Sequence, residues 1–121
     1  MGKNKKILIC EDHEMLAKSL KRSFEREGYE SVILAYQDNP NRVVEELEGI
    51  LETQKPDYII IDGLRGRCFD AAELAKKAKL DLKVIIHSAE EHIIDEAKSK
   101  GYEAFIKITE YDEMMDFIKR D

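Results

Sequence analysis

Cysteines and long apolar runs are both scarce in this chain of 121 residues, and each scarcity excludes a class of protein. The two cysteines, Cys10 and Cys68, lie far apart and outside any paired metal-ligand spacing, so we expect reduced thiols and neither a disulfide framework nor a zinc site. No apolar run approaches the roughly 20 residues of a transmembrane helix, and the apolar part of MGKNKKILIC is too short for a signal peptide. We therefore expect a cytoplasmic protein without membrane insertion.

An excess of positive charge is also lacking. The 20 lysines and arginines are outnumbered by 26 acidic residues, which gives a formal net charge of −6 at pH 7. Affinity for nucleic acids and anionic membranes rests on clustered basic residues, so this balance argues against direct nucleic-acid binding and favours proteins as partners. With 43% hydrophobic and 38% charged residues, the chain has the composition of one folded domain, which we expect to span residues 1–121.

Short apolar runs alternate along the chain with stretches in which apolar residues recur every three or four positions. Such alternation is typical of βαβ units, in which parallel strands are covered by helices. It predicts strands at 5–10, 31–36, 57–62, 82–87 and 103–107, and helices at 13–27, from 40, at 70–79, at 90–100 and after 109. These elements use up the whole chain, so we expect neither a linker nor an output domain.

Several residues predict where the helices begin and end. Asn39 and Thr109 are predicted N-caps, and Asp70 and Glu73 have the spacing of a capping box. Gly28 predicts the end of the first helix.

The three histidines are scattered and lack the spacing of a transition-metal site. We expect His13 in the first turn of a helix, facing solvent, and His92 on an exposed helix surface. His87 adjoins Ser88 on a strand, so its side chain is expected to point to the opposite face and to pack inside.

Polar side chains stand where the predicted strands end. Glu11 and Asp12 follow the first strand, Asp62 closes the third, Ser88 follows the fourth and Lys107 closes the fifth. An open sheet of parallel strands binds its ligand outside the carboxyl ends of the strands, so we expect these side chains to meet at one edge. The sequence therefore predicts a site for a divalent cation and a phosphoryl group.

Each member of the predicted cluster has a distinct chemical task. Carboxylates this close raise one another's pKa unless a cation neutralises them, and Mg²⁺ prefers such oxygen ligands. The Asp62 carboxylate can attack phosphorus to form an acyl phosphate, and Gly63 leaves room for the approaching group. Lys107 would neutralise charge, and the Ser88 hydroxyl would donate to a phosphoryl oxygen. The alternative is that the acids only cap helices or lie solvated at the surface.

These pieces together resemble the receiver domain of two-component response regulators. The resemblance rests on four segments in order, which are ILICEDHE at the first strand, PDYIIID at the third, VIIHSAE at the fourth and FIK at the fifth. It spans essentially the whole chain. It implies a CheY-like, flavodoxin-like, doubly wound sheet of five parallel strands in the order 2-1-3-4-5. Helices 1 and 5 would lie on one face and helices 2, 3 and 4 on the other.

The resemblance also implies roles for individual residues. Asp62 would be the phosphorylated aspartate, and Glu11 and Asp12 the acidic pair whose second member binds Mg²⁺ directly. Ser88 takes the place of the family's switch hydroxyl, and Lys107 that of its lysine. The remaining implied contacts are metal coordination by Asp62 and the backbone carbonyl of Leu64, and phosphoryl contacts by Gly63 and by Ala89, which is small enough to let the group in.

Beyond the site, the sequence departs from the family pattern. The aromatic switch residue usually stands three positions before the lysine, where this chain has Ala104, and Phe105 stands one position later. Because side chains alternate along a strand, this offset predicts that Phe105 points to the opposite face. A switch role of Phe105 would then differ from the family's relay through Ser88. Ile108 replaces the proline that commonly follows the lysine.

Three functional hypotheses follow. The first is a stand-alone receiver that takes a phosphoryl group on Asp62 from a histidine kinase or a phosphotransfer protein, with Mg²⁺ as cofactor. It would catalyse only its own phosphorylation and dephosphorylation, and would signal by contact with a downstream protein target. The second is a pseudo-receiver, a protein-interaction module that no longer switches by phosphorylation. The third is a phosphohydrolase of the haloacid dehalogenase type, which residues 11–14 disfavour because they lack an Asp-x-Asp pattern.

Overall fold

The chain forms a sheet of five parallel strands with helices on both faces. The computed structural model describes residues 5–34, 40–63, 67–78 and 81–120. The elements are β1 (Lys6–Cys10), α1 (Glu14–Arg26), β2 (Glu30–Leu34), α2 (Pro40–Gln54), β3 (Tyr58–Asp62), α3 (Cys68–Ala78), β4 (Lys83–Ser88), α4 (Glu91–Ser99), β5 (Glu103–Ile106) and α5 (Tyr111–Arg120). The strand order is β2-β1-β3-β4-β5, and every neighbouring pair is parallel. The predicted doubly wound fold is confirmed.

The central strands are near-continuous runs of branched apolar residues because both of their faces are covered. Ile9, Ile60 and Ile85 are at most 1% exposed. Burial of one such side chain contributes about 1.5–3 kcal/mol relative to leaving it in water. The register aligns Cys10 with Ile61 and Asp62 with His87, so the carboxyl ends of β1, β3 and β4 coincide.

Two separate clusters of buried side chains hold the helices to the sheet. On one face α2, α3 and α4 contribute the helical residues, among them Leu47, Ala72 and Ala97. On the other face α1 and α5 contribute them, including Phe24 and Met114. The predicted division of the helices between the two faces is therefore confirmed.

The first helix ends as predicted but begins differently. Gly28, just beyond α1, has a φ of 94°, a left-handed conformation that glycine adopts without a steric cost, so the predicted helix end is confirmed. His13 was expected in the first turn, but it is the N-cap, and its Nδ1 accepts a hydrogen bond from the Leu16 N–H at 3.2 Å. An imidazole nitrogen here does what an Asp or Asn oxygen commonly does.

Two other helix starts also differ from the predictions. α3 begins at Cys68, so Asp70 lies inside its first turn and the predicted capping box is wrong. α5 begins at Tyr111, and Glu110, rather than Thr109, immediately precedes it. Asn39 and the predicted element ends at residues 36 and 79 lie outside the described residues. Within the part of the chain that the structure describes, no helix is both long and apolar enough to cross a membrane.

Candidate phosphoryl and metal site

The carboxyl ends of four strands bring the predicted side chains together. Glu11 follows β1, Asp62 is the last residue of β3, Ser88 is the last residue of β4, and Lys107 follows β5. The Lys107 N–H donates to the Ser88 carbonyl at 3.0 Å, which extends the pairing of the last two strands by one residue. The sheet itself therefore sets the positions of these residues.

Lys107 joins the two most enclosed carboxylates of the site. Its Nζ donates to Asp62 Oδ1 at 2.7 Å and to Glu11 Oε2 at 3.0 Å. Glu11 Oε2 also accepts the N–H of His13 at 3.1 Å, so the N-terminal turn of α1 fixes the carboxylate from the other side. Asp62 Oδ1 accepts the N–H of Gly63 at 2.7 Å. Charge-assisted bonds of this kind are shorter and stronger than neutral ones.

The carboxylates of the site carry more negative charge than the ammonium group of Lys107 neutralises. Burial raises the pKa of the Glu11 carboxyl, the charge of Asp62 raises it further, and the hydrogen bond and charge of Lys107 offset only part of the rise. Burial opposes the charged form of Lys107, but hydrogen bonds to Asp62 and Glu11 outweigh this and raise the pKa of its ammonium group. Lys107 therefore stays protonated, while the carboxylates favour a further cation.

The donor set fits a divalent cation that prefers oxygen. One carboxylate oxygen from each of Glu11, Asp12 and Asp62 can be chosen so that all three lie within 4.8 Å of one another. Lys107 Nζ lies 2.9 Å from Glu11 Oε1, but that contact lacks hydrogen-bond geometry, so this buried oxygen has no hydrogen-bond partner among the described residues. Such an oxygen is a suitable ligand for Mg²⁺. Leu64, whose carbonyl was a predicted ligand, lies outside the described residues.

Ser88 and Gly63 form the wall of the site next to Asp62. Ser88 is 3% exposed, and its Oγ accepts the N–H of Glu90 at 3.1 Å. A Cβ atom added at Gly63 would lie 3.1 Å from Ser88 Oγ, so a larger residue there would press on the hydroxyl. Ala89, the next residue, is exposed. The hydroxyl keeps its own proton, which it can donate toward the space beside Asp62.

The strand that leads to Lys107, β5, places Ala104 and Phe105 on opposite faces of the sheet. Ala104 is 3% exposed and belongs to the cluster under α2, α3 and α4. Phe105 packs on the other face, where its ring centroid lies 6.1 Å from that of Phe117 on α5. The prediction that Phe105 points to the face opposite that of position 104 is confirmed.

Sequence reasoning missed one residue next to the site. Glu110 Oε1 accepts the N–H of Ile106 at 2.8 Å, four residues back along the chain. Acidic residues at the start of a helix are common, and nothing in the sequence distinguishes Glu110 from Asp112 or Glu113 nearby.

Solved structures of response regulators have the same architecture over almost the whole chain. The response regulator TrrA from Thermotoga maritima, in complex with Mg²⁺–BeF, has a TM-score of 0.77 and 25% sequence identity, covering 96% of this chain and 97% of TrrA. The receiver domain of a Francisella response regulator has a TM-score of 0.75 and 21% identity, covering 97% and 95%. The protein has the receiver-domain fold of response regulators. No protein-family model matches this sequence, and a search of curated proteins also finds no match.

A third structure shows a receiver together with a kinase. The complex of histidine kinase ThkA with TrrA matches with a TM-score of 0.75 and 24% identity, covering 96% of this chain and 97% of the matched chain.

The position of the site in the sheet is also typical of ligand sites in this kind of fold. In the present protein, β1 has β2 as its neighbour on one side and β3 on the other, so the strand order reverses at β1. Glu11 and Asp62 lie at the ends of β1 and β3, the point where open α/β sheets bind ligands.

Proposed function

We propose that this protein is a receiver that accepts a phosphoryl group on Asp62, in a Mg²⁺-dependent reaction, from a histidine kinase or a phosphotransfer protein. The observation that carries the proposal is the position of Asp62, whose Oδ1 lies 2.7 Å from Lys107 Nζ and whose carboxylate approaches those of Glu11 and Asp12. TrrA, which shares the fold, has been solved with Mg²⁺–BeF and with its kinase ThkA, and both observations support the proposal.

In the proposed reaction, an Asp62 oxygen bonds to phosphorus as the phosphorus–nitrogen bond of a phosphohistidine breaks. The imidazole leaves with the electron pair of that bond and is protonated by solvent. The Lys107 ammonium group offsets charge on the transferred oxygens, and the Ser88 hydroxyl donates to one of them. Bound by Glu11, Asp12 and Asp62, Mg²⁺ would supply the positive charge that lets a phosphoryl group approach three carboxylates. Gly63 and Ala89 leave space for the group.

In the proposed function, the protein acts on no external substrate. It catalyses its own phosphorylation and dephosphorylation in the cytoplasm, and phosphorylation changes its affinity for a downstream protein.

The phosphorylation test uses acetyl phosphate and Mg²⁺ followed by intact-mass measurement. We expect one added phosphoryl mass in the wild type and none in Asp62→Asn. Asp95→Asn is the matched control, because it makes the same chemical change on the exposed surface of α4 and should leave the added mass intact. A wild type without the added mass, or an Asp62→Asn variant that keeps it, would show that the proposal is wrong.

A pseudo-receiver is the second candidate, and the buried Ala104 favours it, since no aromatic side chain occupies that position. Titration with Mg²⁺ separates the two functions when combined with the mass measurement. A receiver should bind the metal and become phosphorylated, and Asp12→Asn should weaken both. Metal binding without any phosphorylation would favour the pseudo-receiver.

A further inference from the structure

The turn that follows β5 has an unfavourable backbone conformation. Ile108 has a φ of 67°, in the left-handed region that β-branched residues rarely adopt, and its side chain is 79% exposed. The Thr109 N–H donates to the Lys107 carbonyl at 2.7 Å, which closes a three-residue γ-turn around Ile108. No burial of the Ile108 side chain compensates for this conformation. Such a turn persists only where neighbouring contacts hold it.

Glu110 supplies those contacts on the outer edge of the sheet. Because the Lys107 N–H faces β4, the peptide groups of the preceding residue, Ile106, face the side of β5 on which the described residues form no further strand. Glu110 Oε1 accepts the Ile106 N–H at 2.8 Å, and the Glu110 N–H donates to the Ile106 carbonyl at 3.0 Å. Both hydrogen bonds join Ile106 to Glu110, the residues on either side of 107–109, so together they hold the two ends of the turn close to each other.

Lys107 lies inside this closed segment. Its N–H is bound to Ser88, its carbonyl accepts from Thr109, and its ammonium group is 2.7 Å from Asp62 Oδ1. The backbone on either side of Lys107 therefore depends on the two bonds to Glu110. We propose that Glu110 is a positioning residue that fixes Lys107 for phosphoryl transfer, an inference that rests on the proposed function.

In Glu110→Ala, the phosphorylation rate and the Mg²⁺ affinity should change in opposite directions. Phosphorylation by acetyl phosphate should slow about tenfold, because a cation displaced by a fraction of an ångström stabilises the transferred oxygens less well. Mg²⁺ should bind about threefold more tightly, because a mobile Lys107 neutralises Glu11 and Asp62 less effectively. General damage to the fold would weaken both, so the opposite signs distinguish positioning from a structural defect.

Two further variants of Glu110 and one matched control complete the test. Glu110→Gln keeps an oxygen that accepts the Ile106 N–H and should restore both values to within about twofold. Glu110→Asp keeps the charge, but its shorter side chain cannot reach the Ile106 N–H, so its phosphorylation rate and Mg²⁺ affinity should change as in Glu110→Ala. It tests the proposal if the alanine variant folds poorly. Glu113→Ala removes the same charge from the first turn of α5, and should change neither value, since Glu113 makes no hydrogen bond or ion pair among the described residues.

Each outcome has a defined meaning. Wild-type rates and metal affinity in Glu110→Ala, or a Glu110→Gln variant that behaves like Glu110→Ala, would overturn the positioning role. If the wild type takes up no phosphoryl group, the proposed function fails while the Mg²⁺ measurements still decide whether Glu110 positions Lys107. Circular dichroism of every variant confirms that the compared proteins are folded.

Discussion

The two faces of the sheet differ in how many small side chains they bury. Under α2, α3 and α4 the buried helical residues include many small ones, which are Cys68, Ala71, Ala72, Ala75 and Ala97, and β5 adds Ala104. Under α1 and α5 the buried cluster is made with larger side chains, including Phe24, Tyr29, Tyr58, Met114 and Met115. Small side chains let helices approach the sheet closely, whereas large ones fill a wider gap.

This difference bears on how a signal could leave the site. Successive side chains on β4 and β5 alternate between the faces, so Ser88 and Ala104 belong to one side and His87 and Phe105 to the other. The site hydroxyl therefore adjoins the face of small residues, while the ring of Phe105, two residues before Lys107, belongs to the opposite face. A direct relay from Ser88 to Phe105 would have to pass through the sheet.

The largest effect should come from truncation on the face of large side chains. Phe24 is fully buried on α1, and Phe24→Ala should cost about 3–5 kcal/mol of the free energy of unfolding because it leaves a cavity. Ala72→Gly, on the opposite face, should cost only about 1 kcal/mol, the loss of helix propensity. Urea unfolding measures both, and equal losses would remove the contrast between the faces.

His87 offers a test by pH on the same face. It is 1% exposed at the wall of a groove of about 420 Å³ between α1 and Tyr111, and neither ring nitrogen has a partner among the described residues. Burial, with the charge of Lys107, lowers the pKa of His87 to about 4. The unfolded chain binds a proton below about pH 6.5 while the folded protein does not, so stability should fall as the pH drops from 6.5 to 4.

The size of this acid loss follows from the shift in pKa. At 1.36 kcal/mol per unit, His87 should account for about 3 kcal/mol across that range, and His87→Leu should flatten the curve by that amount. His92→Leu is the matched control, because it makes the same substitution at an exposed position of α4. Parallel pH curves for wild type and His87→Leu would contradict the prediction.

A smaller effect is expected when an aromatic residue is inserted into the face of small side chains. Ala104→Phe should destabilise the protein by about 1–3 kcal/mol, because Ala104 is only 3% exposed and belongs to the buried cluster under α2, α3 and α4. Glu103→Phe places the same ring at an exposed position of β5, and should change stability by no more than about 0.5 kcal/mol. A neutral Ala104→Phe would show that this face has room for the aromatic residue that the family usually carries there.

The sequence predicted those features that depend on patterns along one element. β1, β3 and β4 are apolar runs because they are buried on both faces, and parallel strand ends must converge, so the grouping of Glu11, Asp62 and Lys107 followed from the fold. The start of α3 did not follow, because Asp70 has the chemistry of a cap, whereas the helix begins two residues earlier, at the buried Cys68.

The turn after β5 could not be predicted for a different reason. A β-branched residue argues against a positive φ, and only contacts formed in the folded molecule impose it on Ile108. The hydrogen bond of Glu110 joins the outer edge of β5 to the start of α5, so it exists only once both elements are in place. Local propensity contains no signal for a contact of this kind.

The hydrogen bonds of Glu110 also bear on contacts between molecules. β5 has four residues and lies at the edge of the sheet, and edge strands present unpaired N–H and C=O groups on which another chain can add a strand. Glu110 occupies both groups of Ile106. An extended segment from a second molecule would have to displace the carboxylate and break the bond between the Glu110 N–H and the Ile106 carbonyl before it could pair there. Glu110 therefore opposes the addition of a strand at Ile106, through its side chain and its backbone N–H.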